Sequence, residues 1–104
     1  MRALVTYEMK PFAVEMREKP TPEIDDDEVL LGVKAVGVCG SDLHMWHASH
    51  SWNVLYPITL GHEFGGVILK AGKKVRGFKE GDRVVSETAS YICGQCVYCR
   101  SGNY

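Results

Sequence analysis

The sequence has almost no net charge and no long apolar run. The chain has twelve lysine and arginine residues and thirteen aspartate and glutamate residues, which gives a formal net charge of −1 at pH 7. Proteins that bind nucleic acid or an acidic membrane surface ordinarily carry a clustered basic excess, so we expect neither as a partner. The stretch that begins at Met1 is too polar for a signal peptide or a membrane span, and a cytoplasmic location is therefore expected.

Internal repeats, low-complexity segments and the dinucleotide-binding motif Gly-x-Gly-x-x-Gly are also missing. A length of 104 residues suits one small domain that can bury a core of its own. We therefore interpret residues 1–104 as a single domain without a nucleotide-binding unit.

Apolar residues alternate with polar ones along several short segments, which predicts a mainly β fold. The clearest period of two runs from Glu28 to Val38 and from Phe64 to Ala71. Weaker β-compatible stretches are Arg2 to Tyr7, Phe12 to Glu18 and Arg83 to Ser86. Short strands separated by glycine turns indicate a small, partly open barrel.

One stretch, from Ser41 to about His50, has the apolar spacing of a helix. Ser41 is predicted to be its N-cap, and Asp42 suits the positive end of the helix dipole. His47 and His50 have no candidate metal ligand beside them, as Ser41 and His44 do, and are predicted to face solvent. The expected fold is thus mainly β with one short helix.

Cys39 and the pair His62-Glu63 place thiolate, imidazole and carboxylate groups where strands meet loops. These are the three protein groups that zinc takes, and a site with only two or three of them leaves a position open for chemistry. The alternative is a buried cysteine and a hydrogen-bonded histidine in an ordinary core. Spacing alone leaves both interpretations open.

A stronger metal signal is the run in which Cys93, Cys96 and Cys99 recur every third residue. In the absence of a secretory context, this spacing favours metal over disulfides. Structural zinc takes four ligands in a tetrahedron, and this knuckle supplies three.

Ser41 and His44 lie three residues apart, on one face of the predicted helix. Taken alone they are an N-cap and a surface histidine. Beside a metal-binding Cys39 they become candidate catalytic groups that pass a proton from hydroxyl to imidazole. Asp42 is a candidate partner for the ring of His62, because a metal-bound histidine usually donates its other N–H to a carboxylate or carbonyl.

Together these residues resemble the N-terminal, GroES-like part of the zinc-dependent medium-chain alcohol dehydrogenases, and the resemblance covers nearly the whole chain. Its variant Gly40-Ser41-Asp42 is similar to polyol and threonine dehydrogenases. Family members often have a cis proline four residues before the signature, and we expect one at Tyr56-Pro57. The zinc signature of the family is matched at each fixed position by Gly61-His62-Glu63-x2-Gly66-x5-Gly72-x2-Val75.

The resemblance implies two zinc sites. Cys39 and His62 would bind the catalytic zinc, with Glu63 as a ligand in some conformations and a neighbour of the ligands in others. The cysteine knuckle would hold a structural zinc whose fourth ligand lies outside the 104 residues. Zinc would polarise a small alcohol or polyol for hydride transfer to NAD or NADP.

The resemblance also implies that the chain is a fragment of a larger, homo-oligomeric enzyme, because the Rossmann domain of the family is absent. The chain alone is then expected to be inactive. One alternative is a small zinc-knuckle interaction module without enzymatic activity. Another is a metal-free GroES-like relative, from which Cys39, His62 and the knuckle should be missing.

Overall fold

The computed structural model describes residues 1–88 and 92–103. Within them, six strands and two short helices follow one another along the chain. Their bounds are β1 Arg2–Thr6, β2 Val14–Glu18, β3 Val29–Val36, α1 Gly40–Trp46, β4 Ile58–Thr59, β5 Phe64–Ala71, β6 Arg83–Val85 and α2 Val97–Ser101.

The strands form two antiparallel sheets of three, in the orders β2-β1-β4 and β3-β5-β6. All five predicted strands are present, β5 with the predicted bounds and the other four slightly shorter, and the mainly β prediction is confirmed. In the described part of the chain the sheets stay open rather than closing into a barrel. Strand β4 was not predicted, because two residues are too few to show a period of two.

The longest pairing joins β3 to β5, and these two strands lead directly to the candidate metal ligands. Val33 pairs with Gly66, and the register shifts on either side of this region, between Leu30 and Leu31 and between Val33 and Ala35. A Cβ atom on Gly66 would lie 2.5 Å from the carbonyl oxygen of Gly32. Gly66 of the zinc signature therefore allows β3 and β5 to approach one another more closely than any residue with a Cβ atom would permit.

A broad apolar cavity of about 1380 Å³ separates the two sheets. Leu4 of β1 and Leu31 of β3 line it from opposite sheets, and Leu43 and Trp46 of α1 line it too. The buried apolar core is correspondingly small among the described residues and consists of Ala3, Val5, Ala13, Met45 and Ile68. Helix α1 is thus anchored by one buried residue, Met45, and by its ends.

The start of α1 differs from the prediction. Cys39, not Ser41, is the N-cap, with extended backbone angles of φ −87° and ψ 159°. The Cys39 N–H donates to Oδ2 of Asp42 at 2.9 Å. Asp42 therefore supplies the carboxylate of a capping box, which accepts the N–H of the N-cap residue, and the Ser41 side chain is not the helix cap.

The predicted end of α1 near His50 is also wrong, because the helix stops at Trp46. Ala48 adopts a left-handed conformation with φ 52°, and its N–H donates to the Met45 carbonyl at 3.1 Å. The Ser49 N–H donates to the His44 carbonyl at 2.9 Å. These two bonds form a Schellman motif, which ends a helix abruptly.

The hairpin between β1 and β2 holds the same end of α1. The Phe12 N–H donates to the Trp46 carbonyl at 2.7 Å. Its ring meets those of Trp46 and His47 edge-on, with centroids 5.1 and 5.5 Å apart. Phe12 itself has φ 65°. The buried Met45, the Schellman motif and the contacts of Phe12 therefore hold the short helix that carries Ser41 and Asp42.

We expect Ala48→Gly to stabilise the folded chain by about 0.5–1 kcal/mol. A left-handed conformation costs an L-residue roughly 1–2 kcal/mol, and glycine removes this cost. Part of the gain is lost because glycine also raises the conformational entropy of the unfolded chain. Urea unfolding followed by circular dichroism measures the change. The matched control is Ala35→Gly in β3, which should instead destabilise by about 0.5–1 kcal/mol. A loss of stability in both variants would contradict the assigned role of Ala48.

Helix α2 was not predicted, because its one turn lies inside the cysteine knuckle and carries no apolar period.

The Tyr56-Pro57 bond is cis, as expected. Neither described helix, at seven and five residues, has the length or the apolar run needed to cross a membrane.

Candidate metal and proton-transfer site

Cys39, His62 and Glu63 come together although 22 residues separate the first two in the chain. Cys39 follows β3, His62 and Glu63 precede β5, and the β3–β5 pairing brings the two ends side by side. The Gly37 N–H donates to the Glu63 carbonyl at 2.6 Å. One ligand atom from each of the three side chains lies within 4.8 Å of the others. Sequence reasoning predicted this cluster.

Asp42 links two of these residues through its two carboxylate oxygens. Oδ2 accepts the Cys39 N–H, and Oδ1 lies 3.6 Å from Nδ1 of His62. The Asp42 side chain is only 14% exposed, so its charge acts in a partly desolvated setting. A carboxylate facing Nδ1 favours the tautomer with the proton on Nδ1, which leaves Nε2 as the electron-pair donor of His62.

Ser41 and His44 are placed differently from one another. Oγ of Ser41 lies 3.4 Å from Nε2 of His62, at the edge of the metal-type cluster. Nδ1 of His44 lies 3.1 Å from Oγ of Ser49. No hydrogen bond joins Ser41 to His44 among the residues that the structure describes, so a proton passing between them needs an intervening group. Ser49 was missed by sequence reasoning because serine five residues after a histidine is not a recognised signal.

A small cavity of about 410 Å³ opens beside the cluster. Its lining includes His62 and Glu63, and also Val85 at the end of β6 with Ser86 and Thr88 after it. The larger cavity between the sheets does not include His62 or Glu63 in its lining. Two of the three candidate ligands, His62 and Glu63, thus line the smaller cavity, whereas Asp42 lines the larger one.

The cysteine knuckle forms the second cluster. Sγ of Cys99 lies 3.7 Å from Sγ of Cys93 and 3.4 Å from Sγ of Cys96, and the ligand atoms of all three lie within 4.8 Å of one another. Cys96 is the N-cap of α2, and the Cys99 N–H donates to its sulfur at 3.5 Å. All four cysteines of the chain are free thiols. Three convergent sulfurs on one turn are typical of structural zinc sites.

The pKa of the Cys93 thiol is lowered from 9.0 to about 7. The largest cause is the Cys96 N–H, which donates to Sγ of Cys93 at 3.4 Å, followed by the Gln95 N–H and then the neighbouring thiols. Because the folded chain favours the thiolate, this contribution to stability is complete above the ordinary thiol pKa. It is lost as the pH falls through about 7.

We expect Cys93 to be the first of the four cysteines alkylated by iodoacetamide in the metal-free chain at pH 7, because the thiolate is the nucleophile. Peptide mapping by mass spectrometry after partial reaction measures the order. The preference should fade in urea, where the backbone donors are lost. Equal labelling of all four folded cysteines would show that the Cys96 and Gln95 N–H groups do not set the reactivity of Cys93.

His50 corrects a prediction. It is 6% exposed and not solvent-facing, because the chain turns inward after the Schellman motif. Nε2 lies 3.0 Å from the Tyr56 hydroxyl, and the ring centroid is 5.2 Å from that of Trp52. Within the described residues Nδ1 has no hydrogen-bond partner. His47 is exposed, as predicted.

The family model of the alcohol dehydrogenase GroES-like domain matches residues 25–104. This match includes all six cysteine, histidine and glutamate residues of the two clusters, and the chain belongs to that family.

Curated relatives are alcohol and polyol dehydrogenases. The chain is 46% identical over 104 residues to a sorbitol dehydrogenase of Halalkalibacterium halodurans, covering all of this chain and 30% of the relative. It is 38% identical over 106 residues to an L-threonine 3-dehydrogenase of Bacillus velezensis, again with 100% and 30% covered. Among solved structures, an alcohol dehydrogenase from Thermus sp. ATN1 is 35% identical with a TM-score of 0.82, over 100% of this chain and 29% of that one. The chain thus spans about 30% of the length of the relatives it matches.

Proposed function

We propose that this chain is the zinc-binding part of an NAD- or NADP-dependent alcohol or polyol dehydrogenase. The observation that carries the proposal is the convergence of Cys39, His62 and Glu63 within 4.8 Å in a member of the alcohol dehydrogenase GroES-like family. The 46% identity to a sorbitol dehydrogenase supports a polyol as substrate. Hydride acceptance would belong to a nicotinamide cofactor bound outside these residues.

The donor set fits zinc. A thiolate, an imidazole and a carboxylate are its ordinary protein ligands, and a three-residue set keeps one tetrahedral position for a substrate oxygen. Cys39 and His62 would hold the metal, with Glu63 as third ligand or close neighbour. When bound, zinc supplies a Lewis acid that lowers the pKa of an alcohol hydroxyl.

The chain's own residues account for orientation and proton removal. Asp42 accepts the Cys39 N–H and lies 3.6 Å from Nδ1 of His62, so one carboxylate would orient both ligands. Ser41, beside the ring of His62, would accept the hydroxyl proton of the substrate. His44 would pass this proton to solvent, and a group outside the two side chains would have to bridge Ser41 and His44. An imidazole can take up and release a proton at one nitrogen, which suits that last role.

The knuckle of Cys93, Cys96 and Cys99 would hold a second, structural zinc, supported by its three convergent sulfurs. A zinc-knuckle interaction module would explain this cluster alone. An interaction module gives no reason for Cys39, His62 and Glu63 to converge, whereas a dehydrogenase function would explain both clusters. A cytoplasmic location and a homo-oligomeric enzyme are part of the same proposal, and the resemblance supports the second of them.

Zinc titration of the purified chain tests the two sites. We expect the knuckle to bind more tightly, because its ligands lie within seven residues, whereas the Cys39 site draws on distant segments that the fold must hold together. Cys96→Ser should then remove the tighter event and Cys39→Ser the weaker one. Asp42→Asn should weaken the second event by about 10–100-fold. The chain alone is expected to show no dehydrogenase activity.

The matched control is His47→Ala, an exposed histidine outside both clusters, which should bind zinc as the wild type does. If Cys39→Ser removes the tighter event and Cys96→Ser leaves it untouched, the ranking of the sites is wrong. If the Cys39→Ser, Cys96→Ser double variant binds as much zinc as the wild type, neither cluster is a zinc site.

A further inference from the structure

The Schellman motif at the end of α1 brings Ser49 back onto His44. The Ser49 N–H donates to the His44 carbonyl at 2.9 Å, so the backbone position of Ser49 is set by the helix end itself. From there Oγ of Ser49 lies 3.1 Å from Nδ1 of the same histidine. This contact follows from the helix ending at Trp46 rather than near His50.

The hydroxyl of Ser49 lies near two polar atoms of His44, the carbonyl oxygen and Nδ1, and the one that receives its proton decides which ring nitrogen is protonated. Its Oγ donates to the His44 carbonyl oxygen at 3.5 Å, and that oxygen can only accept. A hydroxyl has one proton, so once it points at the carbonyl it can offer Nδ1 only a lone pair. Nδ1 must then carry the hydrogen, and Nε2 is left as the proton acceptor.

A second contact restricts the ring plane. The Trp52 ring meets that of His44 edge-on, with centroids 6.3 Å apart and planes at 86°. His47, at the C-cap of the same helix, has no such hydroxyl among the described residues and contacts the aromatic rings of Phe12 and Trp46 instead. The two neighbouring histidines His44 and His47 are therefore held by different kinds of contact.

We propose that Ser49 is a positioning residue that holds His44 as the Nδ1–H tautomer, so that Nε2 is the nitrogen that takes up the substrate proton. This inference rests on the proposed function for the role of His44 in proton transfer. Uptake at Nε2 makes the ring a cation, and the same nitrogen then returns the proton to water. Ser49 itself neither gains nor loses a proton in the cycle.

Long-range proton–nitrogen NMR of the chain labelled with ¹⁵N-histidine tests the positioning without any metal or cofactor. We expect His44 of the wild type to show the Nδ1–H tautomer. Ser49→Ala should shift it to the Nε2–H tautomer that a free imidazole prefers, and Ser49→Thr should restore Nδ1–H because it keeps the hydroxyl. Ser51→Ala, a nearby exposed serine, is the matched control and should leave the spectrum unchanged.

A wild-type His44 in the Nε2–H form, or a Ser49→Ala variant with the wild-type tautomer, would overturn the proposal. In the full-length dehydrogenase, Ser49→Ala should lower kcat about tenfold with KM unchanged, and Ser49→Thr should recover most of it. If the tautomer shifts and kcat does not, Ser49 still positions the ring, and the proton route assigned to His44 in the proposed function is what fails.

Discussion

Replacing Cys39 or His62 by alanine in the full-length dehydrogenase is expected to lower kcat at least about a thousandfold. The Lewis acid that these residues would hold supplies several kcal/mol of stabilisation to the charge that develops on the substrate oxygen, and each 1.36 kcal/mol is a factor of ten in rate. No other group in the described cluster can take over that charge, since Glu63 is itself anionic. Zinc content by atomic emission, measured beside kcat, should fall from two ions per chain to one.

The control is again His47→Ala, which removes a histidine from the exposed end of α1 and should keep both zinc ions and full activity. Glu63→Gln gives a graded comparison, because it keeps the shape of a residue that the family resemblance makes only an occasional ligand. Activity should fall less there than in His62→Ala. A Cys39→Ala enzyme that retains two zinc ions and near-normal kcat would show that this cluster is not the catalytic metal site.

The clusters could be predicted from the sequence because metal chemistry restricts both residue type and spacing. Cys93, Cys96 and Cys99 are close in the chain, so their convergence follows from one turn of backbone. Cys39 and His62 are distant, and spacing alone left a buried core as an alternative. It is the β3–β5 register that joins them, and this register depends on pairs such as Val33 with Gly66 that no local pattern specifies.

The local details of α1 could not be predicted, because each depends on competition between neighbours. Ser41 is a good N-cap by residue type, but Asp42 reaches the Cys39 N–H and moves the helix start by two positions. The helix end depends on Ala48 accepting a left-handed conformation for which glycine is the usual residue. That single turn buries His50, which the helical spacing alone would have placed in solvent.

The glycines of the zinc signature give the second large prediction. Gly66→Ala is expected to destabilise the chain by about 3 kcal/mol, at the upper end of what overpacking ordinarily costs. Its Cβ would lie 2.5 Å from the Gly32 carbonyl oxygen and 3.1 Å from Cα of Val33. Both are backbone atoms of β3, so no rotamer change relieves the clash and the strands must separate. For a chain of this size, such a loss lowers Tm by roughly 12–24 °C.

Thermal and urea unfolding measure the loss, and Gly40→Ala is the matched control. A Cβ on Gly40 would meet nothing within 4 Å, and the residue lies in the first turn of α1, so that variant should stay within about 0.5 kcal/mol of the wild type or gain slightly. The added methyl group thus meets backbone atoms in Gly66→Ala and open space in Gly40→Ala. Wild-type stability for Gly66→Ala would mean that the two strands can move apart at little cost.

Gly66→Ala should also disturb the candidate metal site, because β3 leads to Cys39 and β5 begins directly after Glu63. Separating the strands at Gly66 moves those two ends apart, and a site assembled from distant segments depends on the fold to hold its ligands. Zinc binding at the Cys39 site should therefore weaken in Gly66→Ala, while the knuckle, whose ligands lie on one turn, keeps its affinity. Equal weakening at both sites would point to general unfolding, and an unchanged Cys39 site would show that the close strand approach serves stability alone.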